Sequence, residues 1–121
     1  MDLSKFAVTQ EEFDFEIDGS IYQLKALNAD LYASVEMFVS GMSSGMLNYR
    51  QKENFVRSNI IGWSKVSGLD GKELKFSEES KLVMMNPDLD GFLNLLILQC
   101  YRKRRETIEK LEEDKETVGK S

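Results

Sequence analysis

A chain of 121 residues is the size of one compact domain, and its 41% hydrophobic and 31% charged residues suit a water-facing globular fold with charged helices. A formal net charge of -5 argues against nucleic acid as a partner, because such binding rests on neutralising phosphates. The lack of histidine and the single cysteine, Cys100, exclude an intrachain disulfide, the usual zinc and non-haem iron ligand sets and histidine-based triads.

Residues 1–10 carry Phe6 and Val8 without a regular pattern and are expected to form a flexible N-terminus. No basic segment followed by an apolar core marks a signal peptide there. From Glu12 the pattern sharpens: Phe13, Phe15 and Ile17 alternate with Asp14, Glu16 and Asp18, the period of a strand with one buried face. Asp18-Gly19-Ser20 supplies a turn, and residues 21–26 return with Tyr22 and Leu24 inward, giving a β-hairpin. Two strands alone are marginal, so the hairpin must lie on helices.

Asn28 suits the cap of a first helix, along which Leu31, Val35, Phe38, Val39 and Met42 recur at helical spacing. Gly41, Ser43, Ser44 and Gly45 end it. A second helix is expected over roughly residues 48–66, with Phe55, Val56, Asn59, Ile60 and Trp63 on one side. A connector then runs through Gly68, Asp70 and Gly71, where Asp-Gly is a strong turn signal, to an extended piece with Leu74 and Phe76 inward. Ser77 can cap a short helix bearing Leu82, Val83 and Met85, which ends before Pro87.

Asn86 can cap the last helix, with Pro87 as its first residue. Leu89, Phe92, Leu93, Leu96, Cys100 and Tyr101 make one stripe, and Leu95, Ile97 and Leu98 widen it to nearly the whole circumference. This segment is therefore either central in the domain or shared with another chain. Its apolar run is broken by Asn94 and Gln99 and is too short for a membrane span. The expected architecture is α+β but mostly α: an N-terminal β-hairpin packed on a bundle of about four helices, the last one long. Residues 11–111 form the single globular domain, and 112–121 a charged, mobile tail.

Several groups invite chemistry and fall short of it. Asp88-Leu89-Asp90-Gly91 is a fragment of a calcium loop, but it lacks a third ligand before the glycine, and position 97 is Ile instead of the bidentate glutamate. The pairs Glu11-Glu12, Glu78-Glu79 and Glu112-Glu113 lie in polar stretches with no apolar pocket to shift a pKa, so they read as surface. Arg102, Lys103, Arg104 and Arg105 are matched by the carboxylates that follow, which suits a helix face with pairs such as Arg105 with Glu109 and Glu106 with Lys110. No nucleophile is paired with a base, and neither an enzyme nor a cofactor or metal is expected. Met37, Met42, Met46, Met84 and Met85 are more suggestive, because methionine adapts to varied apolar partners, although core filling outweighs a binding groove.

Gly62-Trp63-Ser64-Lys65-Val66, then Leu69-Asp70-Gly71-Lys72-Glu73-Leu74-Lys75-Phe76-Ser77-Glu78-Glu79, a short apolar helix, Pro87 and a long final helix with Tyr101 before basic residues together resemble the tail assembly chaperones of long-tailed bacteriophages. The resemblance covers about half the chain, from the second helix onward. Its motif residues are Trp63, Val66, Asp70, Gly71, Leu74, Phe76, Ser77 and Pro87.

The resemblance implies a non-catalytic role in the cytoplasm of the bacterial host. Such a protein coats the apolar, helical tape measure protein, keeps it soluble, helps recruit tail tube protein and leaves the finished tail. The surface of the second and last helices is expected to meet the client, through Met84, Met85, Phe92, Leu95, Ile97, Leu98 and Tyr101. Self-association is expected to strengthen repeated weak contacts along the client. Two other readings stand beside it: a structural tail subunit or connector retained in the virion, and an unrelated helical adaptor.

Overall fold

The computed structural model describes residues 1–119, and side chains as far as Asp114. It has the α+β class expected. Strands β1 (Glu12–Ile17) and β2 (Ser20–Lys25) are followed by helices α1 (Ala29–Val39) and α2 (Tyr49–Asn59), strand β3 (Ile60–Ser64) and helix α3 (Asp90–Gly119). Three short 3-10 helices, Leu3–Lys5, Ser80–Met85 and Pro87–Leu89, complete the described elements.

The hairpin forms as the alternation requires. Phe13 faces Leu24 and Phe15 faces Tyr22 across an antiparallel ladder. Asp18 and Gly19 both take positive φ, 51° and 80°, which is the two-residue turn whose twist matches that of its strands. Before the hairpin, Leu3 and Phe6 are exposed, and the only regular element is one 3-10 turn capped by Asp2.

The expected second helix is too long. It stops at Asn59, and the next five residues form a third strand that pairs antiparallel with β2. Ile60 and Ile61 are β-branched and Gly62 lacks a side chain, so helix propensity collapses there. Ile60 and Trp63 share a face because the ladder skips a residue: Leu24 pairs with Ile60 and Gln23 with Gly62, leaving Ile61 as the bulge. An i,i+3 apolar spacing that reads as helical is here a bulged strand. The Gln23 carboxamide lies where a Cβ on Gly62 would stand, so the glycine also makes room for that side chain.

Buried polar groups hold this junction. Asn59 Nδ2 donates to the carbonyls of Lys25 and Ala26 at 2.8 and 3.0 Å, tying the end of α2 to the end of β2. Lys81, only 2% exposed, donates from Nζ to Arg57 O at 2.7 Å and Ile60 O at 3.2 Å, and pairs with Glu78 at 2.7 Å. An ammonium thus satisfies carbonyls that the last turn of α2 leaves open.

The connector between β3 and the 3-10 helix is ordered by its own hydrogen bonds. Leu74 N donates to Val66 O, and Gly68 N to Lys72 O, both at 2.8 Å; Gly71 supplies the left-handed turn at φ 78°. Trp63 lies beneath it, donating from its indole to Leu74 O at 2.8 Å and meeting the Phe76 ring edge-on at 5.1 Å. Ser77 and Ser80 exchange bonds between hydroxyl and amide, so Ser77 caps the turn as expected. Asn86 Oδ1 likewise accepts from Asp88 N at the Pro87 turn, which leads directly into α3.

Helix α3 packs Leu93, Leu96, Ile97 and Cys100 into one core with the inner face of the sheet, α1 and α2. Its thirty residues span about 45 Å. The charged tail expected over 112–121 continues this helix as far as Gly119; residues 120 and 121 lie outside the described residues.

Candidate functional site

Of the side chains expected to meet a partner, Met84, Ile97 and Tyr101 are buried within this chain, and Met85, Phe92, Leu95 and Leu98 are half-buried. The wide apolar circumference of α3 is used mainly at home. Phe92 packs on the Tyr22 ring at 5.4 Å, and Tyr101 stacks on Tyr32 of α1 at 4.9 Å. Met84, Ile97 and Tyr101 therefore offer almost no surface to a partner while the domain stays folded. Among the motif residues, Trp63 and Val66 are buried, Leu74 and Phe76 half-buried, and Asp70, Gly71, Ser77 and Pro87 exposed at turns and caps.

The free apolar surface lies elsewhere. The stripe of α1 is buried at Leu31 and Val35, but Phe38 and Val39 one turn later are exposed, and so is Met42 beyond the helix, at 75%. Helix α1 ends in a Schellman motif: Met42 N donates to Met37 O at 2.8 Å and Gly41 N to Phe38 O at 3.1 Å, with Gly41 left-handed at φ 81°. Sequence spacing placed these residues on the stripe but gave no sign that nothing would cover its outer half.

Two grooves flank the first turn of α2, whose start is fixed by a capping box between Asn48 and Gln51. One, of about 360 Å³, is lined by Met37, Met46, Leu47 and Gln51 among others. The other, of about 280 Å³, is lined by Tyr49, Lys52, Met84, Met85, Pro87, Asp90 and Leu93. Tyr49, 71% exposed, stands at the second groove, and Lys52 and Asp90 close a 2.6 Å ion pair on its wall. Four of the five methionines singled out by sequence therefore line grooves around one helix start.

Several charged groups of α3 pair within the fold. Arg105 reaches Glu109 at 3.4 Å, as expected, and also Glu36 at 3.3 Å; Glu106 pairs with Lys103 at 3.7 Å, not with the expected Lys110. Arg104 donates to Leu27 O at 3.1 Å and lies over the Tyr32 ring. The Tyr101 hydroxyl donates to Glu36, and burial together with that bond pushes its pKa up to about 12. Burial also raises the Cys100 thiol, which is free. Among the described residues no three His, Cys, Asp or Glu side chains are grouped to hold a metal ion, and no helix is long and apolar enough to cross a membrane. Lys81 escaped sequence reasoning, because a lone lysine in an amphipathic stretch looks like surface.

The chain matches no family model, no curated protein and no solved structure.

Proposed function

We propose that this chain is a non-catalytic assembly chaperone of the bacteriophage tail type, which binds the apolar helices of a tape measure protein and keeps them soluble in the host cytoplasm while tail tube protein is recruited. The observation that carries the reading is the groove beside the start of α2, lined by the half-buried Met85 and the exposed Tyr49, with the buried Met84 also in its wall. Flexible thioethers beside an aromatic suit helices of varied sequence, laid in a groove by their apolar residues. The resemblance of residues 62–79 to the tail assembly chaperones supplies the identity of the client.

The test is co-expression with a tape measure protein encoded beside this chain. The chain should hold that protein in the soluble fraction, and Tyr49→Asp should abolish the effect while leaving the circular dichroism spectrum unchanged, since most of the Tyr49 side chain is exposed. Loss of solubilisation only in variants that also unfold would remove the groove from the account. Finding the chain in purified virions at tube-like stoichiometry would favour a retained structural subunit instead.

A further inference from the structure

We infer that the free edge of β1 receives an extended segment of a partner protein, with basic and apolar residues in alternation, as a fourth strand of the sheet. In the order β1-β2-β3, strand β1 lies on the outside, and among the described residues no strand pairs with its far side. The bond from Ala26 N to Glu11 O, at 2.8 Å, fixes the phase of the β1–β2 ladder. Bonded pairs alternate along an antiparallel ladder, so Phe13, Phe15 and Ile17 bond to β2 and the residues between them do not. The N–H and C=O groups of Glu12, Asp14 and Glu16 therefore point away from the sheet, a template for another strand.

The side chains select the occupant. Glu12, Asp14 and Glu16 share the outer face of the sheet and are exposed. Among the described residues none of the three closes an ion pair. Their neighbours across the ladder are Lys25, Gln23 and Ile21, so one ammonium stands beside three carboxylates. A hollow of about 410 Å³, lined by Glu12, Phe13, Asp14, Gln23 and Ile61, leaves room there for a long cationic side chain. On the opposite face Phe13, Phe15 and Ile17 are only half-buried. A strand laid along the edge sets every second side chain beside a carboxylate and those between beside an apolar residue. Lysine or arginine alternating with apolar residues satisfies both faces.

Charge decides against a second copy. Two β1 edges paired about a two-fold axis at Asp14 would set Asp14 against itself and Glu12 against Glu16, and like charges directly opposite are destabilising. Strand edges are commonly guarded by proline, a bulge or a covering element. Strand β1 has no proline and keeps an unbroken register from Glu12 to Ile17. What guards it is carboxylate charge, which repels an acidic strand and attracts a basic one. This edge is separate from the Tyr49 groove assigned to the client.

The test mixes the full chain with a labelled synthetic peptide, Lys-Val-Lys-Val-Lys-Val-Lys, and reads fluorescence anisotropy. Binding is expected, and added salt should weaken it, because the paired charges are exposed. A peptide of the same composition with its lysines in one block should bind at least about tenfold more weakly. Amide hydrogen exchange at Glu12, Asp14 and Glu16 should slow at least about tenfold on binding, because their N–H groups gain acceptors. Asp14→Lys should weaken binding at least about tenfold without lowering the melting temperature, since Asp14 is exposed. Asp14→Pro should weaken it more than Asp14→Asn: both lose the carboxylate, but only proline loses the outward N–H. Tyr49→Asp should leave the peptide bound, so the client assay reads the functional proposal independently. No binding at about 100 µM peptide in low salt, or equal binding of the blocked peptide, overturns the inference. Binding that leaves those three amides exchanging as before overturns it equally, by showing charge adhesion without a strand.

Discussion

Lys81 shows how one side chain can satisfy the end of a helix. Its ammonium is enclosed with two carbonyls and the Glu78 carboxylate, so every donor has an acceptor. Lys81→Met keeps the apolar stem but leaves the carbonyls of Arg57 and Ile60 without this partner. The expected loss is about 2–4 kcal/mol in urea denaturation, since an orphaned buried acceptor costs about 1–3 kcal/mol. A loss below about 0.5 kcal/mol would mean that water reaches those carbonyls and that the cap matters little. Tyr101 makes a second prediction, with a definite sign. Its folded pKa lies above the ordinary 10.0, at about 12, so its contribution is complete below pH 10 and fades as pH rises toward 12. Tyr101→Phe has no phenol to ionise; measured against it by denaturation across that window, the wild type should lose additional stability. Parallel curves would show that the phenol is not stabilised in its neutral form.

Among the elements, the hairpin, α1, the connector turn and the Pro87 start of α3 were legible because each rests on local chemistry: a two-residue period, an Asn cap, an Asp-Gly turn, a proline that fixes φ. Strand β3 was not. Its identity depends on the β2 edge, to which it is joined only after the chain folds, and its bulge disguises a strand as a helix face. Burial on α3 was half legible. The wide stripe announced either a central helix or a shared one, and only the placement of the sheet and α1 decides for Ile97 and Tyr101. The outer half of α1 was misleading in the opposite sense, since a regular stripe implies a cover that the fold does not provide. The Schellman end of α1 can be tested directly. Gly41→Ala meets no neighbour within 4 Å, so its cost is backbone strain at φ 81° alone. About 1 kcal/mol is expected, read as a lowered melting temperature; no change would show that α1 frays before this turn.

For the whole molecule, stability is concentrated between Tyr22 and Tyr101, the first and last of the buried core residues described. Helix α3 continues well past the last of these. Removing residues 112–121 is expected to shift the melting temperature by less than about 2 °C, because no described core side chain is lost. A large drop would reveal packing of the tail against the body. Exposed apolar side chains stand at Met42, within the α1–α2 connection, and at Tyr49, the first residue of α2.

The placement of Trp63 has a practical consequence. It is the only tryptophan in the chain, it is sealed between the sheet and the connector, and its indole N–H is fixed to the Leu74 carbonyl. Its emission colour therefore serves as a native optical gauge of that seal. Any event that lifts the connector would shift the light toward red, with no dye attached.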